Sequence, residues 1–471
     1  MTESGSKFGF RVPLFVGPLV ALVLVIALFA VLDYFYSNGQ FFTSDNLSNI
    51  SIQTTVYALA AVGLTVVIIS GGIDLSCGTA VTLSATAVAW CILHDVGSRI
   101  NDGSNVREAA VNVAVLIEEK ASEEEVESAK KKLADLIQLK ISLLEAQLEP
   151  VAKSMEMNDW IDLPSRQIDA MRESNRRMYD RFDRTEKNYN RLSSNLDKQK
   201  SRLVDLANPG FSLTADNAKQ YWGSNLPNHP STVYFAIIAG VITGVCCGLV
   251  NGVLIAFLGI VPFVVTLGTM TIFLGIGNLV SGNVPIRTMR GDQVPDWLYQ
   301  SLSLNSEYIF LGLPPGVWML FLSAMLMALV LWATVFGRYS FALGSNESTA
   351  RLCGIDVAWQ KLLIYALSGA MIGLAGVFQF SRLTVGDPES GLGLELKVIA
   401  AVVIGGGSLL GGRGSIMGTL CGAAMLAVIL NGCTQLGLPV SIEKIVVGSI
   451  IIFAVYLDQP QVKQFFRSMW K

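Results

Sequence analysis

The stretch "GLTVVIISGGIDLSCG", residues 63–78, ends a long apolar run with an acid, Asp74. An ionised side chain is costly inside a bilayer, so an acid at this position either caps a helix or faces water. Two glycines before the acid and a serine after it favour a break between two membrane helices. The residues allow two roles for the acid: it caps the helix after the break, or it contacts a solute directly. The candidate residues at this break are Gly71, Gly72, Asp74 and Ser76.

The composition predicts an all-α polytopic membrane protein. The 471 residues have a mean hydropathy of +0.50, with 52% hydrophobic and 15% charged residues. Uncharged apolar windows of about 18 or more residues recur along the chain, as expected of membrane helices. They predict about ten spans, near residues 13–34, 48–70, 76–95, 231–256, 260–281, 315–336, 361–381, 394–410, 415–433 and 443–458.

Eight basic residues next to the predicted spans predict the orientation. Ten spans place both termini on one side, and these eight residues fall on that same side, which the positive-inside rule makes cytoplasmic. They are Lys7, Arg11, Arg338, Arg351, Lys361, Lys463, Arg467 and Lys471. The first apolar run is full length and lacks a convincing cleavage site, so we interpret it as an uncleaved span.

More than half of the charged residues lie between residues 101 and 220, within a predicted extracytoplasmic insert at 96–230. Apolar residues at alternating steps of three and four predict an antiparallel coiled-coil hairpin. The first arm carries Leu133, Ile137, Ile141, Leu144 and Leu148 and is expected to end at Pro150. The second carries Ile168, Met171, Met178, Phe182, Tyr189, Leu192, Leu196 and Leu203, after a turn at 158–165.

The insert divides the chain into a first membrane part at 1–95, the hairpin at 96–230 and a second membrane part at 231–471. Three interpretations of the hairpin remain: a solvated spacer, a contact surface for an external partner, or an engineered fusion module.

Sequence motifs exclude several functions. The chain has no GxxxxGK[ST] motif and no Gly-Lys dipeptide, so it does not hydrolyse a nucleotide through a Walker-type loop. It also lacks GxSxG and HExxH, and neither His94 nor His229 has metal-ligand spacing. We therefore expect no enzymatic activity, no metal, no cofactor and no nucleic-acid partner.

A second glycine-rich stretch, "GLGLELKVIAAVVIGGGSLLGGRG", covers residues 391–414. Small residues allow membrane helices to pack closely, which accounts for many glycines. Three consecutive glycines argue instead for a second break, which membrane depth tolerates only where protein or a water-filled cavity satisfies the backbone. Such breaks usually mark a translocation path. Here the candidate residues are Gly405, Gly406, Gly407 and Ser408.

On the predicted cytoplasmic side, "FGRYSFALGSNESTARLCGID" covers residues 336–356 between two spans. Asn346 is placed to cap a helix of about two turns, and Gly354 to end it. This short polar helix is either a docking element or an ordinary ordered loop.

Four stretches together resemble the permease subunit of ribose-type ABC importers, a family that takes up monosaccharides. They are "FFTSDNLSNI" (41–50), "GLTVVIISGGIDLSCG" (63–78), "FGRYSFALGSNESTARLCGIDV" (336–357) and "ELKVIAAVVIGGGSLLGGRGSIMGTLCGA" (395–423). The resemblance implies an inner-membrane homodimer of permeases that rests on two ATPase subunits and receives solute from an extracytoplasmic binding protein. It also implies that residues 344–354 include the ATPase coupling helix, with Ser345, Asn346, Glu347, Ala350, Arg351 and Gly354. The insert at 96–230 departs from the family, whose members have a short external connection there.

Three rival functions remain. A permease of the same fold could carry nucleosides or branched-chain amino acids, although those relatives lack the paired "GGIDLS" and "GGxSLxGGxG" motifs. A secondary transporter would need coupling acids at the membrane midplane, where Asp74 and Glu395 are the main candidates. A membrane scaffold or sensor would act through the external hairpin.

Overall fold

The computed structural model describes residues 16–36, 41–102, 105–156, 176–208, 213–214, 228–288, 293–302, 310 and 313–458. Helices make up most of this part of the chain, and two short strands, β1 (Ile286–Arg287) and β2 (Val385–Gly386), pair antiparallel. The helices are α1 (Val16–Tyr36), α2 (Ser44–Ile69), α3 (Cys77–Leu93), α4 (Val96–Asp102), α5 (Val106–Glu118), α6 (Glu123–Glu156), α7 (Arg176–Ala207), α8 (Pro230–Ala256), α9 (Pro262–Ser281), α10 (Asp296–Tyr299), α11 (Pro315–Ala333), α12 (Val335–Ser345), α13 (Glu347–Leu352), α14 (Val357–Leu383), α15 (Leu394–Ile404), α16 (Ile416–Gln435) and α17 (Val440–Asp458).

Seven helices in the described part are long and apolar enough to cross a membrane. They lie at Val16–Asp33, Asn46–Ile69, Pro230–Ala256, Pro262–Ser281, Pro315–Ala333, Val357–Leu383 and Ile416–Gln435. This confirms the predicted all-α polytopic membrane protein. Helix α3 is apolar but shorter, and α15 has 11 residues, so the count of ten spans stays a prediction.

The described chain forms two compact units. The first comprises the described parts of residues 1–90, 237–287 and 297–471. Its centre is α2, most of whose length is buried against α14, α15, α16 and α11. Small residues permit this packing: a Cβ atom placed on Gly248 of α8 would lie 3.0 Å from the Cα atom of Gly369 on α14. Some of the glycines therefore serve helix packing, as the sequence suggested.

The second unit comprises the described parts of residues 91–236 and 288–296. Helices α5, α6 and α7 share one hydrophobic core, because each presents apolar residues at helical spacing. The predicted core positions of α6 and three of those of α7 take part in it. Its buried members include Val113, Leu133, Ile137, Ile141, Leu144, Leu192 and Leu196, with Leu148 and Leu203 packed against them.

The end predicted for the first arm of the hairpin is wrong, because α6 continues through Pro150 to Glu156. A proline inside a helix removes the hydrogen bond to the carbonyl four residues earlier. That carbonyl belongs to Ala146, which is exposed, so water is able to replace the lost donor. Val151 packs against the shared core just beyond the proline, which favours continuation of the helix. The predicted turn at 158–165 and the core positions Ile168 and Met171 lie outside the described residues.

A buried ion pair lies within the second unit, just after α3. Lys140 of α6 is 1% exposed, and its ammonium group donates a hydrogen bond of 2.8 Å to a carboxylate oxygen of Asp95. The hydroxyls of Ser98 and Thr232 also donate to this carboxylate. Burial alone raises the pKa of Asp95, but the charge of Lys140 and these hydrogen bonds outweigh it and lower the pKa below its usual value.

Candidate functional site

The chain between α2 and α3 is not helical, as the sequence predicted, and Asp74 organises it. Gly71 has a φ of +82°, a conformation that few side-chain-bearing residues adopt. One carboxylate oxygen of Asp74 accepts hydrogen bonds from the backbone N–H of Ser76, at 2.9 Å, and from its hydroxyl, at 2.6 Å. Asp74 is only 2% exposed. The acid therefore stabilises the turn that leads into α3.

Two further polar residues extend this arrangement to α8 and α9. The amide nitrogen of Asn251 donates to the hydroxyl of Ser76 at 2.8 Å, and the hydroxyl of Thr269 donates to the amide oxygen of Asn251 at 2.7 Å. All of these side chains are buried. Asn251 and Thr269 were not among the predicted residues, although each is a polar residue inside an apolar span, which was the available signal. Together they form a chain of uncharged partners around one acid, which we call the Asp74 network: Asp74, Ser76, Asn251 and Thr269.

Two more buried polar groups border the same break. A Cβ atom placed on Gly72 would lie 2.6 Å from the hydroxyl oxygen of Tyr365, and one placed on Gly78 would overlap a carboxylate oxygen of Glu395. The other carboxylate oxygen of Glu395 accepts from the N–H of Gly393. Within the described residues, the Tyr365 hydroxyl and the remaining Glu395 oxygen have no hydrogen-bond partner. Because unpaired polar atoms are costly to bury, these two groups are available to water or to a polar solute.

The second predicted break also lacks helical structure. Helix α15 ends at Ile404 and α16 begins at Ile416, and the intervening loop closes through a hydrogen bond from the N–H of Ser408 to the carbonyl of Arg413. Gly406 has a φ of +88°, and the Ser408 side chain is buried. Gly405 serves packing instead: a Cβ atom there would lie 2.7 Å from the backbone nitrogen of Thr419 on α16. Gly407 packs against Val402 of α15.

The two breaks meet, and of the glycines involved only Gly71 was predicted; Gly411 and Gly412 were not. The N–H of Gly412 donates a hydrogen bond of 2.8 Å to the carbonyl of Ile69, the last residue of α2. A Cβ atom placed on Gly411 would lie 3.0 Å from the Cα atom of Gly71. Gly411 and Gly412 lie in the "SLLGGRG" motif, whereas the prediction had named the three consecutive glycines before it.

The predicted short helix is present as α13, with the predicted cap. The side-chain oxygen of Asn346 accepts from the N–H of Thr349 at 2.9 Å, and Gly354, with a φ of +82°, follows the end of the helix. Ala350 faces the protein interior and is 4% exposed, whereas Leu352 is 89% exposed.

Charged side chains fix α13 against the start of α14. Glu347 pairs with Lys361 at 2.9 Å and with Arg351 at 3.5 Å. Ser345, the last residue of α12, donates its hydroxyl to the carbonyl of Phe341. A surface pocket of about 570 Å³ beside α13 is lined by Glu347 and Arg351 together with residues 259–262, which connect α8 and α9. The helix thus presents Leu352 and Arg351 outward while its other side is held by the protein.

A polytopic helical bundle whose membrane helices break at two buried, glycine-rich segments has the architecture of a membrane transport protein. The family model described as "Branched-chain amino acid transport system / permease component" matches residues 46–117 and 199–455, and the chain belongs to this family. It is accordingly a multi-pass inner-membrane transport component. The family model does not match residues 118–198, and this unmatched stretch is shorter than the predicted insert at 96–230.

Named relatives agree with the resemblance. The ribose import permease protein of Escherichia coli K12 is 35% identical over 223 residues, which are 47% of this chain and 68% of that protein. That of Bacillus subtilis 168 is 38% identical over 224 residues, 48% of this chain and 67% of that protein. The L-arabinose ABC transporter permease protein of Azospirillum brasilense is 34% identical over 236 residues, 50% of this chain and 67% of that protein. These matches confirm the resemblance to ribose-type permeases. No solved structure matches the chain.

Proposed function

We propose that the chain is the permease subunit of an ATP-driven ABC importer for a monosaccharide such as ribose or a related sugar. The observation that carries the transport mechanism is the contact between two broken membrane segments at Gly71 and Gly411. The substrate class rests on relatives named for the transport of ribose and L-arabinose. The description of the family model favours branched-chain amino acids as a second candidate.

The translocation path follows the two breaks. Its proposed residues are Gly71, Gly72, Asp74, Ser76, Gly405, Gly406, Gly407 and Ser408. Sugar hydroxyls both donate and accept hydrogen bonds, and the Asp74 network includes two hydroxyls, those of Ser76 and Thr269, that can exchange partners by rotating. Tyr365 and Glu395 add two buried polar atoms beside the same break. Opening of the breaks would allow a passing sugar to satisfy these atoms.

Energy coupling takes place through α13. The sequence contains no Walker motif, so ATP hydrolysis belongs to a separate ATPase subunit. The proposed coupling residues are Ser345, Asn346, Glu347, Ala350, Arg351 and Gly354. Of these, Arg351 faces outward together with Leu352, and an exposed leucine on a short capped helix fits a contact with a protein partner.

The assembly and topology follow from the same proposal. Two permeases form a homodimer with two ATPase subunits, and an extracytoplasmic sugar-binding protein delivers the solute. Each permease has about ten spans, both termini in the cytoplasm and membrane parts at 1–95 and 231–471. Residues 96–230 form an extracytoplasmic insert that contains an antiparallel coiled-coil hairpin.

Uptake into liposomes tests the substrate class. The permease is purified with its ATPase and reconstituted into liposomes. The binding protein is added outside, and ATP is enclosed inside. Labelled ribose, arabinose, leucine and adenosine are offered separately. ATP-dependent uptake of a pentose is the expected result. Uptake of leucine or adenosine alone would overturn the monosaccharide assignment, and uptake without ATP would favour a secondary transporter.

Substitution at α13 tests the docking assignment. Leu352→Arg replaces a side chain that is 89% exposed, so the fold should persist while co-purification of the ATPase and uptake are lost. Ala350→Arg is less informative because Ala350 is buried. The matched control is Val204→Arg, which charges another exposed apolar position, on α7, where 69% of the residue is exposed. Equal ATPase binding by both variants would contradict the assignment.

Replacement of residues 118–198 by a short linker tests the hairpin, in a chain that also carries Asp95→Asn because the replacement removes Lys140, the partner of Asp95. If the hairpin is a spacer, uptake persists. Loss of uptake with intact ATPase binding and ATP hydrolysis would indicate that an external partner docks on it. The membrane part should insert in either case, because the family model matches the chain on both sides of the replaced stretch.

A further inference from the structure

Four glycines from three separate segments come together in the membrane unit. Gly71 lies in the break after α2, Gly344 in the last turn of α12, and Gly411 and Gly412 in the loop between α15 and α16. We call this set the glycine junction. Only Gly71 of the four was a predicted site residue, because glycine content alone does not show which glycines meet.

The backbones at the junction are in direct contact. A Cβ atom placed on Gly411 would lie 2.6 Å from the carbonyl oxygen of Gly344 and 3.0 Å from the Cα atom of Gly71. One placed on Gly344 would overlap the carbonyl oxygen of Ile69, which already accepts a hydrogen bond from the N–H of Gly412. No side chain separates the three segments, so a shift of one must displace the others.

Helix α12, which carries Gly344 of the glycine junction, is joined to α13 by a very short connection. A single residue, Asn346, separates the end of α12 from the start of α13. Its N–H donates to the carbonyl of Ala342 in α12, and its side chain caps α13. The same residue therefore closes one helix and starts the next, and we expect the two to move together.

We propose that the glycine junction transmits displacement of α13 to both breaks of the membrane path, with Gly344 as the positioning residue. This inference rests on the proposed function, in which an ATPase binds α13. Contact without side chains allows one movement to reach the residues after α2 and the loop after α15 at the same time. A methyl group at Gly344 would force these segments apart and weaken the link.

The first test is Gly344→Ala in the permease–ATPase complex reconstituted with binding protein and sugar. We expect ATPase binding and basal hydrolysis to persist, while uptake per ATP falls about tenfold or more, within the usual range of coupling between distant sites. The matched control is Gly275→Ala in α9, where nothing lies within 4 Å of the added Cβ atom. Coupling in Gly344→Ala equal to that of the control would overturn the proposal.

Hydrogen exchange on the unmodified complex gives a second test that needs no substitution. Peptides that cover α13, residues 69–76 and residues 405–415 are compared with and without a non-hydrolysable ATP analogue. The proposal requires all three to change protection together, and a change confined to α13 would contradict it. If the unmodified permease and the Gly275→Ala control bind no ATPase and carry no solute, the proposed function fails instead.

Discussion

Two aspartates flank α3 in the sequence, and the protein buries them by different means. Asp74, before the helix, is surrounded by the hydroxyls and amide of the Asp74 network. Asp95, after the helix, accepts from Ser98 and Thr232 but also from the buried ammonium group of Lys140. One acid is held by uncharged donors and the other by an ion pair.

The difference matches what each part must do. Separating a buried ion pair leaves an uncompensated charge, so such a pair suits a part that stays fixed. Hydroxyl and amide groups reorient and exchange partners at lower cost, which suits a segment that opens and closes. We therefore expect a static role for the Asp95–Lys140 pair and a mobile role for the Asp74 network, and four experiments test this expectation.

Lys140→Met should have the largest effect. It leaves Asp95 buried without its counter-charge, and we expect the second unit to lose about 3–5 kcal/mol of unfolding free energy, as for other broken buried pairs. Thermal and denaturant unfolding of the detergent-solubilised protein, followed by circular dichroism, measures this. The control is Lys153→Met, which removes an exposed pair to Glu149 and should cost about 0.5 kcal/mol or less. A loss no greater than that of the control would show that the buried pair is not an anchor.

Asp74→Leu should have the second-largest effect, and an uptake assay measures it. Leucine leaves the N–H and hydroxyl of Ser76 without their acceptor, a loss of about 1–3 kcal/mol that a protein of this size survives. We expect a membrane-inserted variant with impaired uptake. Asp74→Asn keeps a side-chain oxygen at the same place and should retain most of the uptake. If Asp74→Asn were inactive, the charge itself would be required, and a secondary transporter would regain support.

The third prediction concerns pH. The folded-state pKa of Asp95 is lower than its usual value of 3.8, so the unfolded chain binds this proton more readily than the folded one. The stabilisation is therefore present above the unfolded pKa and is lost as the pH falls through the folded pKa. Unfolding temperatures recorded from about pH 7 down to about pH 3 should show a decline at the acid end that is smaller in Asp95→Asn. Parallel curves would contradict a contribution from this carboxylate.

Thr269→Val should have the smallest effect. It removes the outermost hydrogen bond of the Asp74 network and should lower stability by about 1 kcal/mol, with little change in uptake. Thr271→Val, on the exposed side of the same helix, is the matched control, because its hydroxyl bonds only to the nearby carbonyl of Gly268. A large loss of uptake in Thr269→Val alone would place this residue in the path itself.

The sequence predicted best what depends on neighbouring residues. The break at Gly71, the cap at Asn346 and the buried positions of α6 all rest on signals within one or two helical turns. The sequence-based prediction failed at Pro150, because packing of Val151 and exposure of Ala146 outweighed the local rule that a proline ends a helix. Asn251 and Gly344 could not be assigned because their roles depend on partners far away in the chain, Ser76 and Ile69.

The hydrophobic core shared by α5, α6 and α7 has an evolutionary consequence. Both edges of the stretch that the family model leaves unmatched, near residues 117 and 199, border this core. A stretch that leaves and returns to the same packing layer can be exchanged as one block of coding sequence if the replacement supplies apolar residues in place of those that α6 and α7 contribute. The same site is therefore suited to domain grafting, and a reporter whose termini lie close together should be accepted between residues 117 and 199.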